Sequence, residues 1–227
     1  FRGDLQRQPF DALETLRGIA QARLPLSMLR LSTPRETETS LRLAGRRRLR
    51  GLLERYLGWR GAGPGKCLLL VGLSGSRRSV SVGREEAVRL ALAGGGVSMR
   101  RLFEKGWRGR RFRAPYLRNG LWERGYALDT LETAAPWSRI PALLAAVEGS
   151  LRQGLAQIDE PVFAMSHVSH VYPDGASLYT TYLFRRAADP EETLRRWRLL
   201  KTAASEAILS HGGTISHQHG VGKDHRP

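Results

Sequence analysis

The chain has 227 residues, 41% hydrophobic and 26% charged, a balance that buries a core and excludes disorder as the main state; the length fits one large domain or two small ones. No apolar run reaches the roughly 18–20 residues that cross a bilayer, and the lone Cys67 can form no internal disulfide, which suits a reducing compartment. The net charge of +16 is carried by arginine, since only Lys66, Lys105, Lys201 and Lys223 are lysines. The arginines are scattered, with short clusters at Arg46-Arg47-Arg48 and residues 108–113, which is not the basic stripe of a nucleic-acid binder. An anionic substrate or an acidic neighbouring domain accounts for the charge at least as well.

In chain order, helical spacing of Phe10, Leu13, Leu16 and Ile19 behind Pro9 predicts an amphipathic helix over 9–22. A short apolar run predicts a strand over 24–31, ended by Thr33-Pro34, and a long helix follows over 36–59. After the break Gly61-Ala-Gly-Pro-Gly65 come a buried strand over 66–72 and a helix over 85–93 closed by Gly94-Gly95-Gly96. Residues 108–119 read as basic and irregular, and 121–133 as a strand. Pro136 is expected to start a helix that puts Trp137, Ile140, Leu143, Leu144, Val147 and Leu151 on one face. Strands over 161–171 and 177–184 are joined by Tyr172-Pro-Asp-Gly175, where Pro sets φ and Gly is expected to supply a positive φ. The last helix covers 190–210 and is capped by Gly212-Gly213. This order predicts an α+β fold, an antiparallel or mixed sheet with helices on one face.

Two apparent phosphate loops fail. Gly61 to Lys66 has Arg60 where a further glycine is needed and Cys67 where Ser or Thr is needed; Gly220 to Lys223 has His217 and Asp224 at the equivalent places. The informative segment is Gly212-Gly-Thr-Ile-Ser-His-Gln-His-Gly-Val-Gly-Lys-Asp-His225, which holds His217, His219 and His225 just after His211. Such a run fits a loop of hydrogen-bonded or exposed histidines, a metal site joined by His167 and His170, or a glycine-rich approach to a planar ligand. A period of two along 177–184 puts Tyr179 and Thr181 on the face opposite Leu178 and Thr180, so that Tyr179 is either a ligand-facing group or a half-buried strand aromatic. A tyrosine, with an ordinary pKa of about 10, needs a cationic neighbour to move protons near neutrality, and Arg118 or a protonated His219 is a candidate. By itself Arg118 reads as a surface charge.

Gly-Gly-Thr-Ile-Ser-His-Gln-His-Gly-Val-Gly closely resembles the C-terminal signature of flavin-linked oxidases of the vanillyl-alcohol-oxidase superfamily, and within it the alkyldihydroxyacetonephosphate synthases. Ser27-Met-Leu-Arg30-Leu, Tyr116-Leu-Arg118 through Glu132-Thr-Ala-Ala-Pro-Trp137, and Tyr172-Pro-Asp-Gly-Ala-Ser-Leu-Tyr179 agree in order and spacing. The resemblance covers nearly the whole chain as a substrate (cap) domain, and it implies ferredoxin-like units and FAD as cofactor. It places Tyr179 on the family's catalytic tyrosine, Arg118 on a substrate-contacting arginine and Arg30 on an arginine needed for activity. His217, Gln218 and His219 fall on three consecutive active-site histidines; Gln218 replaces the middle one, which leaves His219, with His217, as the proton-transfer candidates, and Gln218 and Gly220 as cofactor contacts.

The activity so implied is exchange of the acyl group of acyl-dihydroxyacetone phosphate for a fatty alcohol, the substrate carbon adding to flavin N5. The competing reading is a flavin-linked 2-hydroxyacid dehydrogenase or oxidase of the lactate or glycolate type. That branch typically carries Glu where Gln218 stands and a histidine pair where Tyr172 and Tyr179 stand, so neither it nor its metal is favoured. Since the chain opens at Phe1 and closes just after the His-rich run, residues 1–227 are expected to be a fragment, with an N-terminal FAD-binding domain and the extreme C-terminus outside it. The expected partners are an anionic, lipid-like small molecule and that flavin domain, not nucleic acid. A homodimer and peripheral membrane contact stay open, and the expected location is the cytoplasm of a bacterium with a GC-rich genome.

Overall fold

The computed structural model describes residues 8–44, 47–99 and 117–222. Arg46, the basic run 108–113, Tyr116 and His225 lie outside the described residues. The chain divides into two units, Phe1–Arg100 with His167–Ala176, and Arg101–Ser166 with Ser177–Pro227. Strands β1 (Leu26–Ser32), β2 (Leu68–Leu73), β3 (Tyr126–Pro136), β4 (Phe163–Val171) and β5 (Gly175–Arg185) hydrogen-bond in the order β2-β1-β4-β5-β3, an antiparallel sheet that with the helices gives the α+β fold expected.

In the first unit, α1 (Gln8–Gln21) buries Ala12, Leu13, Leu16 and Ile19 and packs on β1 (Leu26–Ser32). Strand β1 runs antiparallel to β2 (Leu68–Leu73), with Arg30 opposite Leu70, and to β4 (Phe163–Val171), with Ser32 opposite His167. The single helix expected over 36–59 is two, α2 (Pro34–Ala44) and α3 (Arg47–Trp59). Pro34 opens α2, because a first-turn proline needs no partner for its missing N–H. A Schellman cap closes α3: Gly61 adopts φ +86°, and the amides of Gly61 and Ala62 donate to Gly58 and Leu57. The first apparent phosphate loop is therefore a helix terminus. Helix α4 (Arg77–Ala93) begins eight residues before the expected Glu85, because the Ser76 hydroxyl accepts from the Ser79 amide as an N-cap.

In the second unit, α5 (Leu117–Glu123) occupies the start of the segment expected to be strand, and β3 (Tyr126–Pro136) follows. Pro136 ends that strand instead of starting a helix: β3 is last in the strand order, where a missing amide donor is tolerated. Helix α6 (Ile140–Gln153) takes Pro141 into its first turn and buries Ile140, Leu143, Leu144, Val147 and Leu151, each worth roughly 1.5–3 kcal/mol. It packs on α7 (Pro190–Ser210), which buries Leu200, Ala204 and Ile208. Strand β5 (Gly175–Arg185) alternates as expected: Leu178, Thr180, Tyr182 and Phe184 are fully buried, whereas Tyr179, Thr181 and Leu183 are only half-buried. The turn before it differs from expectation. Gly175 is already in β5 and has no positive φ; the left-handed residue is His170 at φ +43°, and the Tyr172 amide closes the hairpin on the Gly175 carbonyl.

Candidate active site

Strand β3 would present an open edge, and the chain after α7 closes it. Gly212 adopts φ +67° as the left-handed residue of a Schellman cap, with the Gly212 and Gly213 amides donating to Leu209 and Ile208. Gly213 then passes so close to β3 that a Cβ there would stand 2.6 Å from Thr133 Oγ1. Beyond it the Thr214 amide donates to the Ala134 carbonyl (2.9 Å), Thr214 Oγ1 accepts from the Ala134 amide (3.0 Å), and Thr133 Oγ1 donates to the Thr214 carbonyl (2.6 Å). The His217 amide donates to the Glu132 carbonyl (3.1 Å). The loop is thus laced to the strand edge like a short extra strand.

This lacing brings together residues from three separate motifs. Along β3, Asp129, Leu131, Thr133 and Ala135 share one face, and Glu132 points to the other. The Glu132 side chain is 3% exposed; its Oε1 lies 3.0 Å from His217 Nδ1 and its Oε2 lies 3.2 Å from His219 Nε2. His217 is nearly buried, while His219 is half-exposed and meets the Tyr179 ring edge-on with centroids 5.9 Å apart. Ser216 Oγ donates to the Gly220 carbonyl (2.9 Å), and left-handed backbone at Gln218 (φ +61°), Gly220 (φ +74°) and Gly222 (φ +58°) curls the loop over. Of the two neighbours considered for Tyr179, His219 is in ring contact with it. Gln218 and Gly220 are exposed on the loop next to it.

Arg118 is exposed on α5, in the same unit as Tyr179 and His219. Arg30 belongs to the first unit, in a cluster of its own. Its Nη2 donates to Glu36 Oε1 (2.9 Å) and lies 3.2 Å from His167 Nδ1, which is itself 2.9 Å from Glu36 Oε1. Burial pushes the Glu36 carboxyl upward, but the hydrogen bond and charge of His167, with the charge of Arg30, hold it below its ordinary value. His170 is exposed at the end of β4. Among the described residues no three His, Cys, Asp or Glu side chains are placed to hold a metal ion. Burial pushes the Cys67 thiol up to about 12, which removes it as a nucleophile at neutral pH.

Glu132 and Glu36 were not singled out as site residues from the sequence. The available signal for Glu132 was a carboxylate inside the strand-like run Ala-Leu-Asp-Thr-Leu-Glu-Thr-Ala-Ala, because a buried carboxylate needs partners. Where β3 and the loop separate, a cleft of about 210 Å³ opens, lined by Asp129, Thr130, Glu132, Lys201, Ser216 and His219 among others. Ligand sites usually measure about 300–1,000 Å³, so this cleft by itself does not enclose a lipid-sized molecule.

A planar cofactor ring needs an accessible surface with polar groups at its edge. The Tyr179–His219 face is half-exposed, and a Cβ on Gly220 or Gly222 would meet no other atom within 4 Å. These residues leave an accessible, polar-edged patch with room for a flavin ring. Among the described residues neither glycine run forms a cradle for its pyrophosphate.

Residues 8–227 match the family of C-terminal domains of FAD linked oxidases, and the chain belongs to that family. FAD is the family's cofactor. The chain is 23% identical over 223 residues to the alkyldihydroxyacetonephosphate synthase of Dictyostelium discoideum, covering 95% of this chain and 36% of that protein. It is 27% identical over 160 residues to the synthase of Trypanosoma brucei brucei, covering 70% of this chain and 26% of that one. A solved structure of alkyldihydroxyacetonephosphate synthase superposes with a TM-score of 0.74 at 19% identity, over 91% of this chain and 38% of the other, which establishes the fold. The chain thus spans about a third of the length of these relatives.

Proposed function

We propose that this chain is the substrate domain of an enzyme that exchanges the acyl group of an acyl-dihydroxyacetone phosphate for a fatty alcohol, with FAD gripped mainly by an N-terminal domain of the same polypeptide. The observation that carries the reading is the junction of Tyr179 with His219 on an open sheet face, backed by the buried Glu132. The named synthases that it resembles support it further.

In such an exchange the ester C–O bond breaks and the acyl group leaves as a carboxylate. An ether C–O bond forms to the alcohol oxygen, and one proton is released. Bound FAD would lend an electron pair for carboxylate departure and regain it as the alcohol oxygen bonds, so that the exchange is redox-neutral. The chain's residues supply proton handling and anion binding: the Tyr179 hydroxyl and the His219 imidazole take and return protons at the reacting carbon and the incoming alcohol. Tyr179 and His219 would hold the flavin ring, with Gln218 and Gly220 as further contacts. Arg118 and Arg30 are the anion-binding candidates, since a guanidinium holds phosphate or carboxylate through paired N–H groups. The buried Arg30 Nε has no hydrogen-bond partner among the described residues and is a donor still available.

The test is the Tyr179→Phe variant of the full-length protein. It removes one hydroxyl from a half-buried ring, so fold and flavin content persist while turnover falls about 10²–10⁴-fold. Wild-type turnover by this variant removes Tyr179 from the mechanism. Robust dye reduction with D-lactate or glycolate, without exchange on acyl-dihydroxyacetone phosphate plus fatty alcohol, overturns the proposed reaction in favour of 2-hydroxyacid oxidation.

A further inference from the structure

Glu132 is the most deeply buried carboxylate beside the reacting face, and its two oxygens serve two different histidines. Oε1 pairs with His217 Nδ1 at 3.0 Å, and Oε2 faces His219 Nε2 at 3.2 Å. A carboxylate at 3% exposure costs several kcal/mol unless it is paired and hydrogen-bonded, and the two imidazoles contribute to that pairing here. The converse also holds. An imidazole whose one nitrogen is held by a carboxylate has a fixed tautomer and a fixed ring orientation, as at any site where an acid orients a histidine. The fold enforces the arrangement, because the His217 amide is itself bound to the Glu132 carbonyl and the left-handed Gln218 lies between the two rings.

We infer that Glu132 is a positioning residue that clamps His217 and His219 as a pair, hydrogen-bonding His217 Nδ1–H through Oε1 and holding His219 Nε2 at ion-pair distance from Oε2, which leaves His219 Nδ1 as the nitrogen that exchanges protons at the reacting face. No described residue partners His219 Nδ1. Glu132 also supplies a fixed negative charge 3.2 Å from a ring that becomes cationic whenever it accepts a proton. A Tyr179 proton is then drawn toward His219, while His217 holds the other carboxylate oxygen in place. The catalytic part of this inference rests on the proposed function; the clamp itself does not.

Two measurements on the full-length flavoprotein decide it. The first is the histidine-selective ¹⁵N spectrum, assigned with His217→Asn and His219→Asn, which reports which nitrogen carries the proton in each neutral ring. Nδ1–H at His217 and Nε2–H at His219 support the clamp; the opposite tautomer at either ring overturns it. This readout needs no turnover, so it stands whether or not acyl exchange is the reaction, and it needs no Glu132 variant to fold. The second is a cycle of Glu132→Gln, His219→Gln and the double variant. Glu132→Gln is expected to lower kcat about 10²-fold with KM within about threefold, since an amide keeps the shape but carries no charge. The double variant is expected to be no slower than the slower single. Losses that multiply, or a Glu132→Gln change confined to KM or to thermal stability, mean that Glu132 does not act through His219.

Discussion

Replacing Asp129 by alanine tests how the helix-covered face of β3 is held. The Asp129 carboxylate accepts from Trp197 Nε1 at 2.7 Å, Tyr182 Oη at 3.1 Å and Lys201 Nζ at 3.4 Å, and the Lys201 side chain is 9% exposed. Alanine leaves a buried ammonium with only the Thr130 carbonyl and an indole N–H without its acceptor. Removing one partner of a buried pair costs about 3–5 kcal/mol, and because Asp129 is itself a quarter exposed, water offsets part of that. The expected loss is about 3 kcal/mol, or roughly 6–12 °C in the transition of this domain. Asp129→Asn, which keeps an acceptor but not the charge, is expected to lose about half as much. The acid dependence follows from the same contacts. Burial pushes the Asp129 carboxyl up, but the Trp197 hydrogen bond, the Lys201 charge and the Thr130 and Tyr182 hydrogen bonds outweigh it and hold the group below its ordinary value of about 4. The unfolded chain therefore takes up this proton first as pH falls. The stabilisation is fully present above about pH 5 and is lost as pH drops below about 4 toward the folded value. Calorimetry of wild type and Asp129→Ala between pH 7 and 3 should give a constant gap that narrows in acid. A gap under about 1 kcal/mol at pH 7, or one that widens in acid, refutes the reasoning.

Other perturbations address the site. Gly213→Ala puts a methyl 2.6 Å from Thr133 Oγ1 and 3.1 Å from Ile208 Cγ2, so the loop must move off β3; a loss of about 1–3 kcal/mol and a roughly 10²-fold fall in kcat are expected, checked by melting and turnover. Arg118→Lys keeps the charge but not the paired N–H groups, and should raise KM for the phosphorylated substrate about tenfold with little change in melting temperature. The buried Cys67 thiol, pushed up to about 12, should stay unlabelled by a thiol-reactive dye at pH 8 in the native protein and react within minutes in denaturant. Labelling of the native protein would show that β2 opens or that the thiol is not buried.

Much of the fold was legible because it is written in local chemistry. Helix α7 spans Pro190–Ser210 as expected, since Asp189 accepts from the Glu191 amide, Pro190 occupies the first turn and Gly212 supplies the left-handed exit. The two faces of β5 followed from its period of two, and they correctly set Tyr179 on the open side. The His217–His219 motif was recognisable by its resemblance to the flavin-linked oxidase signature, while residue types alone left a metal site or a plain loop open. Other features needed partners distant in the chain. Helix α4 starts at the Ser76 cap, where Arg-Arg-Ser-Val-Ser-Val carries no helical apolar stripe. Pro136 closes a strand because β3 lies last in the sheet, a position that pairing decides and composition does not. Arg118 and Arg30 stand in stretches that resemble the family's motifs, yet spacing gives no distance from either to the reacting face. Glu132 is the clearest case: it lies 85 residues from His217, and only the passage of Gly213 and Thr214 along the β3 edge turns a glutamate within a strand into the acid that faces both histidines. Periodicity and capping act over a few residues, so the sequence exposes them directly. A carboxylate shared between two rings is created by tertiary packing, and no local pattern encodes it.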